Sequence, residues 1–257
     1  MGEPILATSD LTRDFNAFRA VDHVSIGVNK GTMTGLIGPN GAGKTTLFNA
    51  IAGSLKPTSG SVFLNGSDIT GLAPEQLFAK GLARTFQIPR PFARMSVLEN
   101  VMLAPIAQVG ERLHGPFLSR TAARKQEIAI REKAMEVLEF MTLAKLADHP
   151  AGKISGGQMK LLELARVLMG DPQVILLDEP AAGVNPSLAG TLIEKIEELN
   201  RQGKTFLIIE HDMDFIMRHC NPIIALSEGR VVFEGTAEQA QSNPVLLDAY
   251  LGAGTSG

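Results

Sequence analysis

Cysteine, long apolar segments and net charge are all scarce in this chain of 257 residues. Cys220 is its one cysteine, so no disulfide can form within the chain, and a reducing compartment is compatible with it. No apolar run approaches the roughly 18–20 residues that span a bilayer, and the first residues lack the basic and then apolar pattern of a signal segment. A net charge of −3 argues against a protein whose main task is to grip nucleic acid. These absences predict a soluble cytoplasmic protein without a nucleic-acid partner.

A glycine-rich segment carries the most informative motif, and its spacing fits G-x-x-x-x-G-K-S/T. Its residues are Gly38, Pro39, Asn40, Gly41, Ala42, Gly43, Lys44 and Thr45. An apolar lead-in over 33–37 predicts a strand before it, and a helical pattern from Lys44 through Thr46 predicts a helix after it. In that context backbone N–H groups point at phosphate oxygens, Lys44 reaches the β- and γ-phosphates, and the Thr45 hydroxyl ligates Mg²⁺. The segment therefore predicts a nucleotide site that includes Thr46, with an ordinary glycine-rich turn as the alternative.

The hydrophobic pattern changes along the chain. Over 5–36 apolar and polar residues alternate between turn residues, which predicts antiparallel strands. Long helical patterns over 97–146 predict a helical insertion. Later, helical patterns alternate with two predicted buried strands, the apolar run 174–177 and the run 205–209, which predicts a mostly parallel sheet covered on both faces. The predicted parts are an α/β core with the antiparallel strands over 1–88 and 155–257, and a helical subdomain over 89–154.

Two further segments favour phosphate chemistry. Asp178 and Glu179 directly follow an apolar strand, and functional groups gather at the carboxyl ends of strands in a parallel sheet. Asp178 can then bind Mg²⁺ and Glu179 can polarise an attacking water, whereas two solvated acids are the alternative. A small hydroxyl, two glycines and a glutamine precede another helix, where they form either a second phosphate site or a helix cap. That second segment is Ser155, Gly156, Gly157 and Gln158.

In their order along nearly the whole chain, these segments resemble the nucleotide-binding subunit of ATP-binding cassette (ABC) transporters. The matching motifs are the phosphate loop at 38–45, the glutamine loop at 83–87, the signature at 154–158, the acidic strand at 174–179 and the switch histidine His211. Ile154 stands where the family usually has Leu. The resemblance implies an α/β fold with a P-loop NTPase core, and an ATPase that uses ATP and Mg²⁺.

The resemblance also implies a role for each matching residue. Glu179, His211 and Gln87 form the catalytic set, and Gln87 joins Thr45 and Asp178 at the metal. Phe15 lies where the family places an aromatic ring that stacks on adenine, although a buried core position is the alternative for this phenylalanine.

A second cassette, identical or paralogous, is implied as a partner. In the family, the signature helix of one subunit completes the ATP site of the other, so Ser155 acts in trans and two ATP molecules are held between the subunits. Asn185 stands where the family commonly has Asp. The amide keeps the hydrogen-bonding capacity but removes a charge, so the sequence does not determine how the two ATP sites are coupled.

The branch of the family is indicated by the segments 83–90, 179–186 and 243–252, which look like the ATPase subunits of branched-chain amino-acid importers. Phe92 and Met95 fall in the family's groove for a helix of the membrane subunit, with packing inside the insertion as the alternative. We thus expect permease partners, an indirect link to a solute-binding protein, and a peripheral location on the cytoplasmic face of the inner membrane. Alternative cargoes are urea, amides, aromatic acids or lipid-like molecules. A soluble non-transport ABC ATPase is a further alternative, but such proteins usually carry two cassettes or long extensions.

Overall fold

The computed structural model describes residues 3–85, 91–104, 120–243 and 246, with the backbone alone for 120–123. Its strands are β1 (Leu6–Phe15), β2 (Phe18–Val24), β3 (Gly27–Val28), β4 (Met33–Ile37), β5 (Ser59–Leu64), β6 (Ser67–Asp68), β7 (Leu82–Arg84), β8 (Val174–Asp178), β9 (Thr205–Ile209), β10 (Ile223–Ser227) and β11 (Arg230–Gly235). Its helices are α1 (Lys44–Ile51), α2 (Pro74–Ala79), α3 (Val97–Met102), α4 (Arg120–Phe140), α5 (Gly156–Leu168), α6 (Pro186–Arg201), α7 (Met213–His219) and α8 (Ala237–Gln241), with 3-10 turns at Ala144–Leu146 and Ala151–Lys153.

The chain divides into two compact units. The first comprises Met1–Arg84, Gln173–Pro180 and Glu197–Gly257, and the second comprises Thr85–Pro172 and Ala181–Ile196.

The first unit contains a six-stranded sheet with the order β11-β10-β4-β9-β8-β7. Its neighbouring strands run parallel except for the antiparallel pair β10 and β11. All residues of β4, β8 and β9 are buried, as expected for strands covered on both faces. Because β9 lies between β4 and β8, the carboxyl ends of these three strands meet at one edge of the sheet.

A second, antiparallel sheet in the same unit has the order β2-β1-β5-β6, with β3 also paired to β1. Helix α1 contacts β1 and β2. One hydrophobic core includes Leu11 and Val21 of this sheet, Leu36 and Leu207 of the six-stranded sheet, and Phe48 of α1. The core thus fixes α1, which begins at the end of the phosphate loop, against strands of the first unit.

The second unit is built from α3, α4 and α5, which pack against one another. A buried amide organises its first loop. Asn100 is fully buried, and its Oδ1 accepts a hydrogen bond from the backbone N of Phe92 at 2.8 Å. Its Nδ2 donates to the carbonyl oxygens of Phe92 at 3.1 Å and Ser96 at 2.9 Å. One side chain therefore holds the loop that leads into α3.

The mostly parallel sheet, the antiparallel strands and the helical insertion predicted from the sequence are confirmed. The second unit also contains α5 and the first part of α6, beyond the predicted helical subdomain 89–154. The reason is that α3 and α4 both contact α5, whose apolar stripe suits helical neighbours as well as a sheet. The domain limits given in the sequence analysis stay a prediction. Within the described part of the chain, no helix has the length and apolar character of a membrane span.

Candidate functional site

The phosphate loop joins β4 to α1, and two of its glycines are required by close neighbours. Gly38 has φ +150°, and a Cβ there would lie 2.3 Å from the carbonyl oxygen of Leu226. Gly43 has φ +94°, and its Cβ would lie 2.3 Å from the carbonyl oxygen of Ala20. Because neither position has room for a side chain, the loop keeps the tight path that brings its N–H groups close to an anion.

Lys44 begins α1, and its side chain turns back into the loop. Its Nζ donates hydrogen bonds to the carbonyl oxygens of Gly38 at 2.6 Å and Pro39 at 3.0 Å. Burial lowers the pKa of Lys44, while the nearby carboxylates of Glu179 and Asp178 act in the opposite direction. The ammonium group is therefore held inside the loop, close to both acids.

The turn between β10 and β11 supports the phosphate loop through hydrogen bonds. The backbone N of Gly229 donates to the carbonyl oxygen of Ala42 at 3.0 Å, and its carbonyl oxygen accepts from the N of Asp22 at 2.9 Å. The next residue, Arg230, donates from Nε to Oδ2 of Asp22 at 2.6 Å. Hydrogen bonds from His23, Arg19 and Arg230 hold the pKa of Asp22 well below its usual range, so this carboxylate stays charged.

The acidic pair lies at the carboxyl end of β8, one strand away from a histidine. Glu179 has φ +48°, an uncommon conformation for a residue with a side chain, and its N donates to the carbonyl oxygen of Ile209 at 2.9 Å. Its Oε1 lies 2.8 Å from Nε2 of His211, which follows β9. The strained backbone and the contact with His211 together fix where the Glu179 carboxylate points.

A cavity of about 240 Å³ lies over the phosphate loop. Its lining residues are Phe18, Ala20, Asn40, Gly41, Ala42, Gly43, Lys44, Thr45, Thr46 and His211. The structure thus brings His211 together with most of the residues predicted to bind ATP. Gly38 and Pro39 instead turn their carbonyl oxygens toward the Lys44 ammonium.

The predicted adenine platform, Phe15, does not line this cavity. Its ring is 42% exposed at the end of β1, and the guanidinium carbon of Arg13 lies 4.7 Å from the ring centroid. The core alternative for Phe15 is therefore wrong, while its role toward adenine stays a prediction. Phe18 and Ala20 also line the cavity, and neither is among the residues predicted from the sequence. Alternation along β2 places residues 18 and 20 on one face and could have indicated both.

The donor set suits Mg²⁺. Thr45 offers a hydroxyl at the cavity and Asp178 offers a carboxylate, and these are the oxygen ligands that Mg²⁺ takes together with substrate phosphates. Asp178 is only 3% exposed and is paired with Arg84. Gln87, the third predicted metal ligand and a predicted catalytic residue, lies outside the described residues.

The sequence matches the family described as ABC transporter over residues 21–182, more than half of the chain. The chain belongs to the ABC transporter family. A probable branched-chain amino acid transport ATP-binding protein LivG from Archaeoglobus fulgidus is 43% identical, over 97% of this chain and 96% of the relative. A high-affinity branched-chain amino acid transport ATP-binding protein BraF from Pseudomonas aeruginosa is 38% identical, over 98% of this chain and 99% of the relative.

Solved structures agree with this family. The ADP conformation of an ATP-binding cassette of an ABC transporter is 40% identical with a TM-score of 0.83, and the match covers 98% of this chain and 100% of that one. A nucleotide-free ATP-binding cassette from an ABC transporter is also 40% identical, with a TM-score of 0.81 over 96% and 98% of the two chains. The resemblance stated from the motifs and the P-loop NTPase fold class are confirmed, and the chain is an ATPase of the ABC family.

The ABC signature lies in the second unit, at the start of α5. Ser155 caps this helix: its Oγ accepts from the N of Gln158 at 3.3 Å, while Oε1 of Gln158 accepts from the N of Ser155 at 2.9 Å. A Cβ on Gly157 would lie 2.7 Å from Cδ1 of Leu188, so packing explains this glycine. Asn185, the departure from the family pattern, accepts from the N of Leu188 at 3.0 Å and thereby caps α6. The helix-cap interpretation of the signature is therefore correct within the subunit, and its role in trans stays a prediction.

Proposed function

We propose that this chain is the ATP-hydrolysing subunit of an ABC importer that energises uptake of branched-chain amino acids or a similar small polar solute. The relatives named above support this cargo, since each is described as a branched-chain amino acid transport ATP-binding protein. One observation carries the assignment of the active site. The neighbouring strands β4, β9 and β8 end at the phosphate loop, His211 and the pair Asp178 and Glu179.

ATP binds through the phosphate loop, with Lys44 facing the β- and γ-phosphates. Thr46 adds to this site, and Phe15 stacks on the adenine ring. Thr45, Asp178 and Gln87 would hold Mg²⁺, which would supply positive charge next to the phosphates.

Hydrolysis depends on Glu179, which orients the attacking water and accepts its proton as the bond to the γ-phosphorus forms. The bond from the γ-phosphorus to the β–γ bridging oxygen breaks in the same step, so ADP leaves and inorganic phosphate is formed. His211 is 2.8 Å from this carboxylate and lines the cavity, so it holds Glu179 in place and reaches toward the γ-phosphate. Because α1 and the strand ends are fixed by one hydrophobic core, these groups are positioned before ATP arrives.

Transport requires a second cassette and membrane subunits. We propose that Ser155, Gly156, Gly157 and Gln158 face the γ-phosphate bound by the partner cassette, because the positive end of a helix dipole and the N–H groups of the first helical turn favour an anion. Phe92 is 53% exposed, which supports a contact with a permease helix. The cassette would then lie at the cytoplasmic face of the inner membrane, with a solute-binding protein acting on the other side.

The first test of this proposal is Glu179→Gln. The amide keeps the size of the side chain but cannot accept a proton, so we expect ATP binding to be retained and turnover to fall about 10²–10⁴-fold. Glu228→Gln is a matched control, because Glu228 shares the φ of +48° but lies in the turn between β10 and β11. Turnover near the wild-type rate in Glu179→Gln would remove this residue from the catalytic role.

The second test concerns the shared site. Ser155→Arg places a bulky cation where the partner's γ-phosphate must lie, and Lys44→Ala removes the cation of the phosphate loop. Mixing the two variants leaves one intact site per heterodimer, so we expect ATPase activity that neither variant shows alone. A monomeric Ser155→Arg protein with wild-type turnover would refute the composite site. Uptake of labelled leucine against labelled urea, with the permease subunits co-expressed, tests the cargo.

A further inference from the structure

Arg84, the last residue of β7, makes a side-chain contact that none of the sequence motifs explains. Its Nη2 donates to Oδ2 of Asp178 at 2.9 Å, and its Nη1 donates to Oδ1 of Asn49. Its guanidinium carbon lies 5.2 Å from the centroid of the Phe48 ring. The side chain is 17% exposed, against 3% for Asp178. Arg84 is thus mostly buried and bound on three sides.

The three contacts join the two elements that carry the proposed metal ligands. Asp178 ends β8, whereas Asn49 and Phe48 belong to α1. Thr45 lies four residues before Asn49 in α1, so both side chains project from the same face of the helix. A planar guanidinium with two bonded nitrogens is a rigid connector. Arg84 therefore sets the distance between the end of β8 and the face of α1 that carries Thr45.

The same contact gives the two oxygens of the Asp178 carboxylate different roles. Oδ2 is bonded to Arg84, and the described residues provide no other hydrogen bond to this side chain. Oδ1 is therefore the oxygen that remains for a metal or its water. The Nε of Arg84 is buried and has no hydrogen-bond partner in the described structure, which costs stability.

We propose that Arg84 is a positioning residue for Mg²⁺: it orients the Asp178 carboxylate and holds it in register with Thr45. The inference rests on the proposed function, because it takes these two residues as metal ligands. It assigns Arg84 no contact with ATP or with the reacting atoms.

The test compares Arg84→Ala and Arg84→Lys with wild type and with Arg201→Ala. Arg201 is a control because it pairs with Glu197 at 3.9 Å on the surface, where its side chain is 66% exposed. Binding of Mn²⁺ to the protein loaded with a non-hydrolysable ATP analogue is followed by electron paramagnetic resonance. Affinity for the analogue is measured by calorimetry in EDTA and in Mg²⁺.

Loss of the partner of a metal-binding carboxylate typically costs about 10–100-fold in metal affinity, so we expect Arg84→Ala to weaken Mn²⁺ binding by that factor. Its affinity for the analogue in EDTA should stay within about 3-fold of wild type, because the phosphate loop is intact. The Mn²⁺ affinity of Arg84→Lys should lie between those of wild type and Arg84→Ala, since an ammonium group keeps the charge but lacks the planar pair of donor nitrogens. Arg201→Ala should match wild type.

Equal losses in EDTA and in Mg²⁺, or Mn²⁺ binding as tight as in wild type, would overturn the role of Arg84. If Arg84→Ala does not fold, Asn49→Ala is the second variant, because it removes only the link between Arg84 and α1. It should weaken Mn²⁺ binding more than it weakens binding of the analogue in EDTA. Unchanged Mn²⁺ binding in Asn49→Ala would also overturn the proposal. A wild-type protein that binds neither Mn²⁺ nor the analogue contradicts the proposed function instead.

Discussion

Replacing glycines of the phosphate loop by alanine separates two reasons for glycine there, a left-handed backbone and a lack of space for a Cβ. Gly43 has φ +94°, and an added Cβ would lie 2.3 Å from the carbonyl oxygen of Ala20. Gly41 has φ +82°, and an added Cβ would meet nothing within 4 Å. The two substitutions therefore share the cost of a left-handed backbone, and only Gly43→Ala adds a collision with β2.

The expected losses of stability follow from these contacts. A left-handed alanine costs about 1–2 kcal/mol, which is the whole effect expected for Gly41→Ala. In Gly43→Ala the loop and β2 must also separate by roughly 1 Å to reach ordinary contact distance. Overpacking of this kind costs about 1–3 kcal/mol, so we expect a total loss of about 2–5 kcal/mol for Gly43→Ala.

Equilibrium urea unfolding of both variants and wild type, without nucleotide, measures the difference. ATP affinity measured by calorimetry should fall further in Gly43→Ala, because the separation displaces the start of α1. Equal losses of stability in the two variants would refute the argument that β2 limits the shape of the loop.

Two other predictions rest on buried polar groups. Asn100→Ala removes three hydrogen bonds of 3.1 Å or shorter. We therefore expect the free energy of unfolding, measured in urea, to fall by about 2–4 kcal/mol. A fall of less than about 0.5 kcal/mol would contradict the role of Asn100 in holding its loop. Burial, with the Glu210 carboxylate adding to it, raises the pKa of the Cys220 thiol to about 12. Because the thiolate is the reactive form, Ellman's reagent should modify Cys220 at pH 8 only after unfolding in urea, and rapid modification of the folded chain would contradict its burial.

Much of the first unit could be predicted because its signals are local. The runs over 174–177 and 206–209 are continuously apolar, and the structure places β8 and β9 over Val174–Asp178 and Thr205–Ile209. The phosphate loop was recognised from the spacing of its glycines, and the φ of +94° at Gly43 gives the physical reason for that spacing.

Contacts between distant residues could not be predicted in this way. In the sequence, Arg84 is an ordinary cation in a short strand, and its partner Asp178 lies far along the chain. Only the pairing of β7 with β8 brings the two side chains together. Asn100 occurs within a helical pattern, and nothing in that pattern indicates that its amide folds back on the loop before it. The resemblance implies Phe15 as the adenine platform, whereas Phe18, which pairs with Phe15 across the turn between β1 and β2, is the aromatic residue that lines the cavity.

The position of β4 in its sheet has a consequence for how the protein is made on the ribosome. This apolar strand ends at Ile37, yet its two neighbours are β9 and β10, and β10 begins at Ile223, more than 180 residues later. The support of the phosphate loop by Gly229 arrives later still. At about 5–20 residues per second, the growing chain exposes β4 without its partners for roughly 10–40 s. The nascent protein therefore becomes competent for nucleotide only after Gly229 has been synthesised, and until then β4 is an exposed apolar segment without its neighbouring strands.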